Sequence, residues 1–170
     1  VEMMRRARKD VVITSPYLIP GQAGLETFHN SVERHGVKFT LITNSLAATD
    51  AFPVYAMSHK YKRMYLRELG FQIHEYKPFP ADMPIDLAAV PGLEASIADD
   101  GFGLRGSGSG SGQGPVPLKR AGVRIGLHSK SMVVDEQIGI VGSHNFDPRS
   151  DEYNTESLVM VHDPVFATVL

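Results

Sequence analysis

The sequence predicts an α/β domain, a mixed and largely parallel β-sheet with helices packed on its faces. Three observations carry that reading. Val11–Thr14 is a short apolar, β-branched run of the length of a buried strand. It is followed by the helical spacing Leu25, Phe28, Val32 and then by a second apolar run, Val37–Thr43, an alternation that favours a parallel pair joined by a crossover helix. Near the carboxyl end, Met132–Asp135 and Ile138–Val141 read as two strands of a hairpin about Glu136 and Gln137.

In chain order, Glu2–Lys9 reads as the end of a helix, and Asp10 precedes the first strand. Ser15, Pro16, Pro20 and Gly21 break that strand. The helix over Ala23–Arg34 is stopped by Gly36. After the second strand, Asn44–Pro53 (NSLAATDAFP) forms a loop at its carboxyl end, where ligands of open α/β sheets tend to sit. Val54–Leu69 is the clearest helix, with Met57, Tyr61, Met64 and Glu68 on one stripe and His59, Lys60, Lys62 and Arg63 on another. Gly70 ends it. Phe71–Tyr76 follows as a partly exposed third strand.

Residues 77–122 differ in character. Their core, 101–114, holds seven glycines and three serines and cannot bury enough apolar surface to offset its ordering entropy, so it reads as a flexible loop. Val123–Leu127 is expected as a strand that delivers His128 to its end, and Thr155–Val161 as the last strand. Asp147 and Arg149 suit a short capped turn. The final DPVFATVL looks like the first turn of a helix. The abrupt start and end point to a segment of a longer protein, and residues 1–170 are taken as one domain with a loop at about 77–122.

Composition narrows the chemistry. The chain has 42% apolar residues, and 17 Lys and Arg stand against 19 Asp and Glu, so any anion site is built locally rather than by a global basic field. That balance argues against nucleic acid as the partner, because phosphate contacts dominate nucleic-acid affinity. There is no cysteine, which removes disulfides, thiolate metal sites and cysteine nucleophiles. No apolar run approaches the roughly 18 residues of a membrane-spanning helix, so the segment itself is expected to be soluble.

The densest chemistry lies in Leu127–Arg149, LHSKSMVVDEQIGIVGSHNFDPR. On an extended chain residues two apart share a face, so His128 and Lys130 project together while Ser129 points away. Imidazole can attack phosphorus and later be displaced, and an ammonium holds the charge of the non-bridging oxygens. That scheme requires neither metal nor cofactor. Gly142 permits close backbone approach to a ligand, and Ser143 and the Asn145 amide are candidates to donate to phosphate oxygens. Glu156 is a candidate carboxylate partner for a histidine ring, favouring its charged form. Asp135 sits where a hairpin turn wants an Asp, so a turn role stands beside a chemical one. His59, on its basic helix, has a plain reading as a surface histidine beside one as a headgroup or phosphate contact.

HSKSMVVD followed by GSHNFDPRSDEYNTE resembles the H-x-K-x4-D signature of the phospholipase D superfamily. SPYLIPG, TNSLAATD and YKRMYLRELGFQIHEYKP are similar to the C-terminal half of bacterial cardiolipin synthase-like members. The resemblance covers 11–76 and 123–161. It implies a phospholipase D-like fold that is one half of a two-half architecture, in which two such motifs face each other. One histidine becomes a phosphohistidine, and the other protonates the leaving alcohol and then activates water or an acceptor alcohol. Carried over, His128, Lys130, Asp135 and Glu156 would be catalytic, with Asp135 supporting the motif and Glu156 orienting His128. Lys130, Ser143 and Asn145 would bind phosphate, and His59 and Arg63 would contact substrate. The implied partners are a phospholipid, an alcohol or water acceptor, a membrane surface and a second motif-bearing half from the same chain or a homodimer. The implied setting is the cytoplasmic or inner membrane of a bacterium. The chain departs from the pattern in holding one motif, because neither His144 nor His162 has a lysine two residues on. The rival readings are a nuclease acting as a dimer and a non-catalytic phosphate-binding or lipid-binding module.

Overall fold

A computed structural model describes residues 2–49, 51–77 and 126–170. Among them are six strands in one sheet: β1 (Asp10–Thr14), β2 (Lys38–Asn44), β3 (Gln72–Tyr76), β4 (Ser131–Val134), β5 (Ile138–Gly142) and β6 (Leu158–His162), in the order β3-β2-β1-β4-β5-β6. The helices are α1 (Glu2–Arg6), α2 (Gln22–His35), α3 (Phe52–Arg67), α4 (Pro148–Glu152) and α5 (Pro164–Val169). The α/β class and the mixed sheet are as the sequence predicts. Its parallel character is narrower: β1–β2 and β2–β3 are parallel, whereas β1–β4, β4–β5 and β5–β6 are antiparallel. The two parallel pairs are those joined by the crossover helices α2 and α3, and a tight turn makes β4–β5 antiparallel.

The core follows from strand alternation. Val11 and Ile13 of β1 are buried, and their partners Phe39 and Leu41 on β2 fall on the same face. Against that face pack Phe28 of α2, Tyr65 of α3 and Phe71. Phe28 meets Phe39 and Phe71 edge-on at 5.1 and 5.3 Å, and Phe71 stacks on Phe39 at 4.8 Å and on Tyr65 at 5.2 Å. Such pairs add about 0.5–1.5 kcal/mol each beyond area burial. Burial also pushes the Tyr65 hydroxyl's pKa up, and its proton reaches the Leu18 carbonyl at 3.4 Å. On the other face, α5 lays Phe166 against Gly139, where a Cβ would come within 2.5 Å of that ring.

Helices α2 and α3 stop at Gly36 and Gly70 as expected, with Val37 and Phe71 donating back to Ser31 and Tyr65 at 3.2 and 2.9 Å. The last two helices begin at side-chain caps. Asp147 accepts from the amides of Arg149 and Ser150, and Asp163 from those of Val165 and Phe166.

Two expectations shift. The hairpin turns one residue earlier than read: Asp135 and Glu136 both have positive φ, 54° and 56°, and Gln137 N donates to Val134 O at 3.0 Å. Asp is among the residues that tolerate this conformation, and here its carboxylate gains three amide donors described below. The strand expected over Val123–Leu127 lies outside the described residues except for Gly126 and Leu127, which, with His128 and Lys130, have no regular secondary structure. The Gly/Ser-rich stretch, past Lys77, also lies outside them.

Candidate functional site

The site is assembled where the segment before β4 passes the ends of β2 and β5. The Asn44 side chain, at the end of β2 and 2% exposed, makes both of its hydrogen bonds to Leu127. Its Nδ2 donates to Leu127 O at 2.9 Å and its Oδ1 accepts from Leu127 N at 2.7 Å. The next residue is His128, whose side chain is exposed to solvent. Lys130 is half-buried, its Nζ donates to His128 O at 2.8 Å, and its own carbonyl accepts from Gly142 N at 3.1 Å. Leu127 and Lys130, on either side of His128, are therefore fixed to β2 and to β5 respectively.

Gly142 is glycine because β6 leaves no room: a Cβ there would lie 2.5 Å from Ser157 O and 2.9 Å from Leu158 Cβ. Ser143 follows, its amide donating to Ser157 O at 3.0 Å and its hydroxyl to the Glu156 carboxylate. Asn154 Nδ2 donates to the other Glu156 oxygen at 3.1 Å. The Ser143 hydroxyl above all, helped by Ser150, by Asn154 and by the charge of His144, holds the Glu156 carboxyl below the usual carboxylate range. Glu156 thus presents an ionised group, and it is spent on Ser143 and Asn154. Among the described residues no hydrogen bond joins it to His128, so the orienting role expected of it is not seen in this arrangement.

Asn145 donates its amide to Ser150 Oγ at 3.2 Å and accepts from Asp147 N at 2.8 Å through its carbonyl. Its side-chain Oδ1 is buried with no hydrogen-bond partner among the described residues.

Asp135 stands apart. Seven residues beyond His128, on the order of 20 Å along an extended chain, its Oδ1 accepts from the backbone amides of Arg8, Lys9 and Asp10 at 3.1, 2.8 and 3.1 Å, and its Oδ2 from Arg8 at 2.9 Å. Its carboxylate ties the turn after β4 to the entry of β1. His59 and Arg63 lie on α3, Arg63 exposed and His59 stacked on Tyr55 at 5.8 Å. His59 and Asn44 line one small cavity with Tyr55, Lys62 and Glu75. That places His59 at the same end of the sheet as the Leu127 segment.

Sequence reasoning missed three features. Asn44 was placed in a ligand-facing loop but given no role. His144 pairs with Asp151 through Nε2 at 3.0 Å and meets the Phe146 ring edge-on at 5.6 Å. Beside them runs a groove of about 640 Å³. It is lined by the apolar Met3, Phe28, Met132, Ile140 and Met160 together with the polar Lys130, His144 and Asp151. Ile13, Met132, Ile140 and Met160 are register partners across four strands, so the groove is floored by the continuation of the core face past the helices. The period-two pattern of β4, β5 and β6 held that signal. Among the described residues no group of three or more His, Cys, Asp or Glu side chains converges as a metal site, and no helix is long and apolar enough to cross a membrane.

Comparison with known proteins adds the following. The model of a family described as cardiolipin synthase, PLD-like domain, matches residues 114–170. A Helicobacter pylori protein of uncharacterised function is 30% identical over 166 residues, 96% of this chain and 26% of that protein. Cardiolipin synthase C of Escherichia coli is 28% identical over 169 residues, 99% of this chain and 29% of that enzyme. The chain thus spans little more than a quarter of these relatives. Among solved structures, NucT from Helicobacter pylori superposes with a TM-score of 0.60 at 14% identity over 99% of this chain and 77% of its own. Nuc from Salmonella typhimurium, a phospholipase D family member, does so with a TM-score of 0.53 at 15% identity over 99% and 76%. At those identities the likeness is one of fold.

Proposed function

We propose that the chain forms one phospholipase D-like half of an enzyme that cleaves or transfers phosphodiesters of phospholipids, a reading supported by the match of residues 114–170 to the family model described as cardiolipin synthase, PLD-like domain, and by the likeness to cardiolipin synthase C. His128 is the nucleophile. Its ring nitrogen bonds to phosphorus as the phosphorus–oxygen bond to the leaving alcohol breaks, and a histidine of the second half gives that alcohol its proton. The same second histidine then takes a proton from water or an acceptor alcohol, whose oxygen displaces His128 and regenerates the free imidazole. Lys130, Ser143 and Asn145 hold the non-bridging oxygens, where charge must be stabilised in transfer. With an alcohol such as phosphatidylglycerol as acceptor the product is cardiolipin. With water it is phosphatidic acid.

The observation that favours a lipid is the groove, lined by Lys130 and His144 together with methionine, isoleucine and phenylalanine. A phosphate held at Lys130 could leave its acyl chains against those apolar side chains, where each buried methylene is worth about 0.8 kcal/mol. The second half comes from the same polypeptide or from a second copy, and the enzyme works at the inner-membrane surface of a bacterium. A second reading, a nuclease, is favoured by α3, which carries Lys60, Lys62, Arg63 and Arg67 and no acidic residue over Phe52–Arg67. Exposed Phe52, Met57 and Leu66 on the same helix fit a bilayer surface better than a nucleic-acid backbone.

The test uses the two-half enzyme with fluorescent phosphatidylglycerol in vesicles beside plasmid DNA. Lipid turnover is expected, falling at least about 10³-fold in His128→Ala together with loss of an acid-labile phosphoenzyme. Cleavage of DNA alone would overturn the substrate, and full turnover in His128→Ala would overturn the mechanism in favour of a non-catalytic module.

A further inference from the structure

We infer that Asn44 is a positioning residue for His128, acting through the backbone of Leu127. The inference rests on His128 being the nucleophile. The carboxamide is buried, and both of its polar atoms are used by one residue 83 positions away, the one that immediately precedes His128. Binding the N–H and the C=O of Leu127 together fixes the peptide plane from which the imidazole-bearing residue departs. A residue with only an acceptor or only a donor cannot do both.

The support beneath the clamp is rigid. Ser45 N donates to Tyr76 O at the end of β3, and Ala48 and Thr49 donate back to Ser45 O, so the loop after β2 is closed on itself. Gly126 rides on that loop: a Cβ on it would lie 2.7 Å from Ala48 O and 3.9 Å from the Asn44 Oδ1. The His128 segment is therefore held from the side by Asn44 and from below by Ala48, while Lys130 closes on His128 O from the far side. The imidazole itself is exposed and has no hydrogen-bond partner among the described residues, so its position depends on the backbone that carries it. In-line attack on phosphorus needs that position held, because about 1 Å of misplacement can cost 10²-fold in rate.

The experiment compares Asn44→Ala, Asn44→Asp and Thr43→Val in the two-half enzyme with a short-chain fluorescent phosphatidylglycerol. Asn44→Asp keeps the acceptor for Leu127 N and loses the donor to Leu127 O. Thr43→Val removes a neighbouring buried hydrogen bond, Thr43 Oγ1 to Pro16 O at 3.1 Å, that does not touch the Leu127 segment. Both Asn44 variants are expected to lower kcat about 10²-fold with KM changed less than threefold, and to slow phosphoenzyme formation in parallel. Thr43→Val should lower Tm and leave kcat within threefold. If Asn44→Ala is too unstable to assay, Asn44→Asp decides. Wild-type kcat in either Asn44 variant, or an equal fall in Thr43→Val, would overturn the positioning role. His128→Ala runs beside them: if it still forms phosphoenzyme, the nucleophile assignment fails, whereas loss of phosphoenzyme there with full activity in Asn44→Asp sinks the positioning role alone.

Discussion

Replacing Asp135 with alanine should unfold the protein more readily without touching its chemistry. In the native chain three backbone amides, those of Arg8, Lys9 and Asp10, donate to one carboxylate. Asp135 is half-buried, so water can recover part of each lost bond, and about 1 kcal/mol net for each of the three amides is the appropriate scale. The residue also holds φ at 54°. Alanine pays about 1 kcal/mol to stay in that left-handed well, so the total loss is about 4 kcal/mol. Asp135→Asn keeps the well and a neutral acceptor, and it should lose about 1 kcal/mol. Urea unfolding followed by circular dichroism reads these as a falling midpoint at unchanged slope. At a temperature where both variants remain folded, kcat should stay within threefold of wild type. An Asp135→Ala protein of wild-type stability and lost activity would refute the structural account and return the carboxylate to the reaction.

Two further outcomes follow from contacts at the other end of the hairpin. Gly142→Ala should cost about 1–3 kcal/mol by overpacking, because its Cβ meets Ser157 O and Leu158 Cβ. Hydrogen exchange should then open the Gly142–Leu158 end of the β5–β6 ladder first, and unchanged protection there would contradict the packing argument. Glu156→Gln tests the charge on Ser143's partner. The Glu156 carboxyl is held below its ordinary value chiefly by the Ser143 hydroxyl, so its stabilisation is full above about pH 4.5 and fades as pH falls through the lowered folded value. The variant should melt below wild type at pH 7 and converge with it as pH falls below the ordinary carboxylate range. A gap independent of pH would show that shape rather than charge matters at this contact.

The elements that sequence made legible are those written in local periodicity. Leu25, Phe28 and Val32 announce α2, the β-branched runs announce β1 and β2, and Gly36 and Gly70 mark helix ends, because each signal needs only neighbours within a few residues. His128 and Lys130 were visible for the same reason, being two apart. What stayed hidden is long-range. Asn44 meets Leu127 across 83 positions, and Asp135 meets Arg8 across 127, and no spacing rule links residues so far apart. The antiparallel pairing of β1 with β4 was hidden likewise, since the alternation of the first half is silent on what joins its open edge. Glu156 was recognised as a useful carboxylate, yet its nearest hydroxyl, on Ser143, claims it first.

β1 sits at the centre of the sheet with β2 on one side and β4 on the other, and residues 77–130 join β3 at one edge to β4 beside that centre. Closing a connection of this kind costs entropy that grows only with the logarithm of its length, so doubling it adds about 0.6 kcal/mol. The clamp at Leu127 lies at the end of that span and the hairpin follows it, whereas the β2 loop lies before it. Insertions and deletions between them therefore leave the Leu127 anchorage and the β4–β5 hairpin intact. In evolutionary terms the sheet separates what must stay still from a length of chain that is free to vary at small thermodynamic cost.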